Sequence, residues 1–249
     1  MRIRKRDLIN IFFRSFAIQA AWNCERMLGL GLCFCLVHIV KRLFTDKQKQ
    51  IDFLKRHIGF FNSHPYLANY ALGAIIKIEE QNILKNWENP RAVENFKNRV
   101  IGPLGAIGDT FFWQLTLPAL ALLGVFLAYF FGQSGALTFF VLYNIVHIFI
   151  RARGLINGFI KGFDIIRDLS LSGTKKYFKI IKVAVSILFG TEIILISFRI
   201  FHLEQAPKEA ILFLASLIFS FFVLRQRKIS VDVMVIIVIF VSIIIGFII

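Results

Sequence analysis

The chain has 249 residues, of which 57% are hydrophobic, 15% aromatic and only 18% charged, and its mean hydropathy is +0.69. So few charges cannot cover the water-facing surface of a soluble domain of this length, and the composition therefore predicts an integral membrane protein. The net charge of +15 would suggest nucleic-acid binding in a soluble protein, but the basic residues cluster at the ends of apolar runs. That distribution is typical of cytoplasmic loops that face anionic lipid headgroups, so we expect a lipid bilayer and no nucleic acid.

The first part of the chain mixes apolar and polar residues at helical spacing. Four residues follow the i, i+4, i+7, i+11 pattern, which predicts one face of a helix: Ser15, Gln19, Trp22 and Arg26. The first apolar stretch, "LINIFF", is short and soon followed by Arg14, so we expect no cleavable signal. Three cysteines lie in or beside the next apolar segment, and we expect buried structural thiols and no metal site: Cys24, Cys33 and Cys35.

The following segments are short and interrupted. Residues 47–61 are charged and amphipathic, residues 66–76 are apolar but too short to span a bilayer, and residues 85–99 are polar and broken by Pro90. Such segments are typical of re-entrant elements, which survive at membrane depth only when buried in protein or lining a cavity. We therefore expect residues 1–108 to hold the working surface of a single domain that covers residues 1–249.

Two acidic features stand out in this region. The pair Glu79–Glu80 lies in a polar segment and predicts a solvated or interface patch. Asp109 follows the glycines of "GPLGAIGD", which predict a bending loop, and no charged residue occurs between Asp109 and Arg151. Asp109 therefore either caps the first membrane helix as its N-cap residue or contacts something that crosses the membrane.

Residues 109–249 predict about five transmembrane helices. Residues 110–131 and 135–150 form a helical hairpin joined by "GQSG", after which Arg151 and Arg153 return the chain to the basic side. Further crossings are predicted at residues 183–201, 210–224 and 234–249. Basic loops then fall on alternate ends of the spans, which predicts a cytoplasmic N-terminus and an external C-terminus. The expected fold class is an all-α polytopic membrane protein with an amphipathic and re-entrant N-terminal half.

Four segments in this order resemble the IID component of the mannose/fructose/sorbose-type bacterial sugar phosphotransferase systems. They are "FRSFAIQAAWNCERM", "FFNSHPYL", "IEEQ" followed by "GPLGAIGDTFFWQLTLP", and "GLINGFIKGFDIIRD". The resemblance covers about residues 6–200. The chain departs from the family where Ala106 replaces a glycine, Thr110 replaces a common proline and Leu117 replaces a common arginine. It is also shorter than family members at residues 202–209, on the outer face of the predicted topology. These departures bear on the sugar-contacting geometry and on any receptor role of the outer face.

The resemblance implies a transport subunit in the bacterial cytoplasmic membrane. Such a chain forms a trimer of IIC–IID pairs, captures a hexose-type sugar jointly with the IIC subunit and moves it in an elevator-like manner. IIB then phosphorylates the sugar with a phosphoryl group received from IIA and, originally, from phosphoenolpyruvate. No catalytic group, metal or cofactor is expected in the IID chain itself.

The resembling segments supply candidates for sugar binding or for contact with IIC: Gln19, Trp22, Asn23, Glu25, Arg26, Asn62, His64, Asp109 and Trp113. Asn and Glu side chains suit pairs of sugar hydroxyls, and an aromatic face such as Trp22 can pack on a pyranose ring. For Glu25 and Arg26 we favour pairing with other charges to hold the contact with IIC. For His64 we favour a structural turn together with Asn62 over a phosphorylated histidine.

Two other functions remain as alternatives. A divergent family member could act as a membrane receptor or scaffold without transport. An intramembrane aspartyl protease uses a Gly-x-Gly-Asp motif with a second aspartate, but Ala106 stands where the first glycine is required, and the other aspartates lie beside basic residues.

Overall fold

The computed structural model describes residues 3–84, 90–168 and 175–200. Every regular element in these ranges is helical, which confirms the all-α prediction. The α-helices are α1 (Lys5–Arg14), α2 (Gly29–Leu43), α3 (Lys47–His57), α4 (Ala68–Leu84), α5 (Pro90–Gly108), α6 (Leu117–Phe131), α7 (Ser134–Lys161), α8 (Ile165–Asp168) and α9 (Lys175–Ile200). Short 3-10 turns cover Ser15–Ala17 and Gly162–Asp164, and a π-helical segment covers Asp109–Thr116.

The Cα positions divide the chain into two compact units, Met1–Leu188 and Phe189–Ile249. Of the second unit, the structure describes only the end of α9. The crossings predicted at residues 210–224 and 234–249, and the short loop at residues 202–209, lie outside the described residues. The number of crossings, the re-entrant elements and the single domain with halves at 1–108 and 109–249 therefore stay predictions.

The segment after α1 is not the helix that the spacing of polar residues predicted. Helix α1 ends at Arg14, where the Ser15 hydroxyl donates to the Phe12 carbonyl at 2.6 Å and starts a 3-10 turn. The chain then runs through successive turns to α2, and Met27 adopts a positive φ of 51°. Side-chain hydrogen bonds to the backbone compete with helix formation here, so the helical spacing did not produce a helix.

Helices α2, α3 and α4 form the core with α1. The largest completely buried side chains include Leu32 and Leu36 on α2, Phe53 on α3 and Leu72 and Ile75 on α4. The cysteine prediction is correct for the two thiols on α2, because Cys33 and Cys35 are buried, but wrong for Cys24, which is exposed. Cys24 lies in the turn region that replaces the expected helix, so no packed face covers it.

The acidic pair on α4 is buried and not a solvated patch, so that expectation is wrong. Glu79 and Glu80 are 2% and 1% exposed. Glu79 accepts hydrogen bonds from Arg56 at 2.8 and 3.0 Å and pairs with His57 at 2.9 Å, and Glu80 accepts from the backbone N–H of Ile3 at 2.9 Å. Buried carboxylates need such hydrogen-bond partners. Here the partners come from α3 and from the N-terminal segment, so the residues next to Glu79 and Glu80 in the sequence could not predict their burial.

Helices α4 and α7 pack closely because glycines stand at their contact. A Cβ atom on Gly73 would meet the backbone of α7 at Leu155, and one on Gly158 would meet the Tyr70 carbonyl of α4. Small residues allow helix backbones to approach in this way within membranes. This contact positions the turn that carries His64, because α4 begins directly after that turn and Tyr66 in the turn contacts Tyr143 and His147 on α7.

One continuous helical rod, called the α5 rod below, runs from α5 through the π-helical segment into α6 and covers Pro90–Phe131. The predicted glycine loop and the predicted N-cap at Asp109 are therefore both wrong, because the helix begins at Pro90 and Gly102, Gly105 and Gly108 are helical. The π-helical widening ends next to Pro118, whose ring would clash with the carbonyl four residues earlier in a regular α-helix. The Thr116 hydroxyl donates to the Phe111 carbonyl at 2.7 Å, five residues earlier, and so supports the wide turn.

The predicted helical hairpin is present. Helix α6 ends at Phe131, Gly132 turns the chain with a φ of 62°, and α7 starts at Ser134. Among the described residues, two helical stretches are long and apolar enough to cross a membrane, Arg91–Phe131 and Ser134–Arg167. Helix α7 continues past Arg151 to Lys161, and the Arg151 side chain is buried. The end of the crossing at Arg151 and Arg153 stays a prediction. Helix α9 covers most of the crossing predicted at residues 183–201.

Candidate functional site

A pocket of about 360 Å³ lies where three separate segments meet in the first unit. The turn region after α1 contributes Gln19, the segment before α4 contributes residues 62–65, and the α5 rod contributes one long face. The lining residues are Gln19, Asn62, Ser63, His64, Pro65, Ile101, Gly102, Gly105, Ala106, Asp109 and Trp113. The volume lies at the low end for small-molecule sites, which indicates a small ligand.

The residues before α4 form the predicted turn. The His64 carbonyl accepts hydrogen bonds from the backbone N–H groups of Leu67 at 3.1 Å and Ala68 at 2.9 Å, which starts α4. The His64 ring stacks on Phe112 with ring centroids 4.9 Å apart and planes 13° apart. Asn62 remains exposed at the pocket edge, while His64 is buried in the wall.

The His64 ring is a neutral hydrogen-bond donor. Its Nδ1 accepts a hydrogen bond from the backbone N–H of Tyr66 at 3.3 Å, so the ring proton resides on Nε2. Burial, and secondarily the charge of Arg151, lowers the pKa of His64 to about 4. Nε2 is buried and has no hydrogen-bond partner among the described residues. A ring that is only 1% exposed is poorly placed to receive a phosphoryl group from another protein.

The α5 rod supplies the acidic and aromatic groups of the pocket. Asp109 and Trp113, four residues apart in the π-helical segment, line the pocket on the same face of the rod as Gly105. Asp109 is exposed, and its carboxylate has no hydrogen bond or ion pair within the described residues. The Trp113 ring is 44% exposed and lies 5.1 Å from the His64 ring.

The sequence missed several lining residues although they lie inside the motifs that it singled out. A Cβ atom on Gly102 or on Gly105 would meet only open space, so these glycines keep the pocket wide rather than bend the chain. Ser63 and Ala106 also line the pocket. Ala106 is one of the departures from the family pattern, so one methyl group is added to the lining at that point.

The other four candidates lie in the turn region but do not line the pocket: Trp22, Asn23, Glu25 and Arg26. The Asn23 side chain holds its own turn, because its Oδ1 accepts from the Arg26 backbone N–H at 2.8 Å and its Nδ2 donates to the Ala21 carbonyl at 3.2 Å. Arg26 pairs with Glu25 at 3.7 Å, and the Glu25 side chain is 80% exposed. Trp22 is 53% exposed.

Comparison with known proteins decides the family. Residues 2–201 match the family model of the phosphotransferase (PTS) system mannose/fructose/sorbose family IID component. The chain belongs to this family. Among its relatives it is 34% identical to the mannose-specific EIID component of Escherichia coli strain K12, over 68% of this chain and 60% of the relative. It is 31% identical to the fructose permease IID component of Bacillus subtilis strain 168, over 68% and 62%.

This IID chain spans about 60% of the length of the curated relatives that it matches. Solved structures agree with the assignment. A chain of the mannose transporter ManYZ in complex with microcin E492 matches with a TM-score of 0.62 and 32% identity, over 76% of this chain and 69% of that chain. A second match, described as a membrane protein, has a TM-score of 0.70 and 31% identity over 77% and 70%. The family predicted from the four motifs is confirmed.

Proposed function

We propose that this IID chain binds a hexose-type sugar in the pocket and carries it across the bacterial cytoplasmic membrane together with a IIC partner. One observation carries the proposal. Five of the nine candidate residues, from three segments far apart in the sequence, line a single pocket: Gln19, Asn62, His64, Asp109 and Trp113. The three segments are far apart in the sequence, and each brings polar or aromatic side chains to the same cavity.

The chemistry of the lining suits a sugar. The free Asp109 carboxylate accepts hydrogen bonds from two vicinal hydroxyls, and the amides of Gln19 and Asn62 donate and accept at neighbouring hydroxyls. The half-exposed Trp113 ring offers a flat apolar surface to the C–H face of a pyranose. The neutral Nε2–H of His64 donates to a hydroxyl oxygen that enters the wall. An uncharged polyol is the ligand class that uses all of these groups.

A second surface completes the site in this proposal. Gln19, Asn62, Asp109 and Trp113 are all exposed, so the described chain encloses a sugar on one side only. The IIC subunit would close the other side, with Glu25, Arg26, Asn23 and Trp22 at the contact between the two chains. The assembly is a trimer of IIC–IID pairs, with five crossings after Asp109, the N-terminus inside and the C-terminus outside.

Phosphorylation belongs to other subunits in this proposal. The pocket lining contains one carboxylate and one buried histidine, and we propose that neither carries nor transfers a phosphoryl group. In this proposal IIB phosphorylates the arriving sugar with a group received from IIA, and the IID chain only binds and moves it. The same single carboxylate does not provide the aspartate pair that an intramembrane protease requires.

The test is sugar uptake and phosphorylation in a strain that lacks its own mannose-type IID protein. The full chain is co-expressed with matching IIC and IIAB proteins, and membrane levels are checked by immunoblot. Asp109→Asn removes the charged acceptor and lowers kcat/KM by roughly 10- to 100-fold, the loss expected for hydrogen bonds to a charged group. Asp164→Asn is the matched control, because it makes the same change at an exposed ion pair with Arg167.

Two outcomes would contradict the proposal. Equal activity of the Asp109→Asn and Asp164→Asn proteins at equal abundance would remove Asp109 from the sugar site. No phosphorylated hexose or amino sugar, despite a stable complex with IIC, would reject transport and favour a receptor or scaffold function.

A further inference from the structure

Arg151 is a buried cation that the proposed function does not use. Its side chain lies on α7, where the residue is 3% exposed, and it forms no ion pair with a carboxylate among the described residues. A buried arginine without a counterion is costly, and within a membrane protein it marks a functional position by default.

The Arg151 guanidinium is held by a carbonyl group and two aromatic rings. Its terminal Nη1 donates to the Ser15 carbonyl at 2.7 Å, and the guanidinium carbon lies 5.1 Å from the Phe16 ring centroid and 4.8 Å from the Tyr66 ring centroid. Cation–π contacts of this kind strengthen when water is excluded. Asn69 adds a second link, because its Nδ2 lies 3.1 Å from both the Ser15 hydroxyl and the Arg151 carbonyl.

These contacts join the two pocket segments to α7. Ser15 and Phe16 begin the segment that carries Gln19 into the pocket, and Tyr66 follows His64 by two residues and donates its backbone N–H to the His64 ring. One turn earlier on α7, His147 stacks on Tyr66 with ring centroids 4.8 Å apart. The same face of α7 therefore holds both segments, which are far apart in the sequence.

We propose that Arg151 is a positioning residue that sets the distance between the Gln19 segment and the His64 segment and thereby shapes the pocket. The role of Arg151 in pocket geometry is argued from these contacts alone. The effect of Arg151 on sugar affinity also rests on the proposed function. Lysine cannot replace arginine fully, because the planar guanidinium both donates to the Ser15 carbonyl and fills the space between two aromatic rings. The ammonium group of lysine can donate to the carbonyl, but it is not planar and does not pack between the rings in the same way.

The first measurement is the KM of sugar uptake in the co-expression strain. Arg151→Met raises KM by roughly fivefold or more while the maximal rate per assembled transporter stays within about twofold, since only the binding geometry is changed. Arg151→Lys gives a smaller rise in KM. Arg153→Met is the matched control, because it removes the same charge two residues later at an exposed position and leaves KM unchanged.

The second measurement does not depend on transport. Spin labels at Ala20→Cys and Phe149→Cys, both exposed, report the distance between the Gln19 segment and α7 in the full chain, with exposed Cys24 changed to Ser. The distance distribution is narrow with Arg151 and broadens or shifts in the Arg151→Met protein. The Arg153→Met protein keeps the narrow distribution.

The outcomes separate the two proposals. Equal KM values and equal distance distributions for Arg151→Met and Arg153→Met would overturn the positioning role. If Arg151→Met does not accumulate, Arg151→Lys decides, and an unchanged KM with a narrow distribution in that protein would overturn it. If the unmodified protein transports no sugar, the proposed function fails, and the distance measurement alone decides the role of Arg151.

Discussion

His57 is completely buried, between the Phe53 ring and the carboxylate of Glu79. The ring centroids of His57 and Phe53 lie 4.5 Å apart, and His57 Nε2 lies 2.9 Å from Glu79 Oε1. Burial lowers the pKa of His57, against the opposing effect of the Glu79 carboxylate. Burial raises the pKa of Glu79, but hydrogen bonds from His57 and Arg56 outweigh it and hold that pKa below its usual value. The folded protein therefore keeps a neutral imidazole beside an ionised carboxylate.

This pair predicts acid destabilisation. The unfolded chain binds a proton on His57 below about pH 6.5 and the folded chain resists it, so the free energy of unfolding falls as the pH drops below about 6.5. Glu79 adds a loss in the same direction at lower pH. Thermal unfolding of the detergent-purified protein should give a constant Tm between about pH 8 and 7 and a declining Tm below about 6.5.

Two variants check the origin of this effect. His57→Gln keeps a hydrogen-bond donor for Glu79 and should give a shallower decline of Tm with acid. His38→Gln, which changes a more exposed histidine on α2 whose Nε2 lies 3.6 Å from the Asp7 carboxylate, is the comparison for the loss of a histidine near an acidic side chain. The same decline in both variants would contradict the assignment to His57.

Individual residues also show why the sequence could single out five residues that line the pocket but not their surroundings. Asp109, Asn62 and His64 could be singled out because each lies in a mixed-composition motif. The contact of Gly108 with His64 could not, because the two residues belong to different segments, and a Cβ atom on Gly108 would overlap the histidine side chain. The roles of Arg56 and Arg151 depend in the same way on partners distant in the sequence.

Among the elements, the π-helical segment of the α5 rod carries Asp109 and Trp113, which both line the pocket. The Thr116 hydroxyl supports the wide turn of this segment through the Phe111 carbonyl. Glycines before an aspartate are typical of a helix start, which is why the sequence predicts a loop and an N-cap here. Pro118 cannot fit a regular α-helical turn before it and favours a wider one. In the folded chain the helix therefore continues through the glycines and widens before Pro118, and no loop forms.

Thr116→Val therefore tests the contribution of the π-helical segment. Loss of a hydrogen bond worth about 1 kcal/mol should relax the wide turn and raise the KM of uptake by up to about fivefold at normal abundance. Thr138→Val is the matched control, because its hydroxyl donates to the Ser134 carbonyl at 2.8 Å in an ordinary turn at the start of α7, away from the pocket. A KM equal to that of the control would show that the π-helical geometry does not depend on this bond or does not matter for sugar binding.

For the chain as a whole, composition and motif order were sufficient to predict the helical class, the α6–α7 hairpin and the family. The turn region between α1 and α2 was not predictable, because its spacing of polar residues fits a helix as well as it fits the observed turns. In the folded chain the backbone N–H of Leu28 donates to the Phe61 carbonyl at 2.9 Å, a long-range bond that the local spacing does not reveal. This bond joins the turn region that carries Gln19 to the segment that carries His64. A contact between residues far apart in the sequence, which the local pattern could not predict, therefore helps to form the pocket.

Whether the pocket of this chain holds the sugar can be observed directly. The experiment is a cryo-EM structure of the full chain with its IIC partner and a hexose that the pair transports. We expect sugar density in the pocket, with hydroxyls within hydrogen-bond distance of Asp109 and the ring packed against Trp113. Sugar density elsewhere in the complex, with Asp109, Asn62 and Trp113 free of contact, would contradict the proposed function.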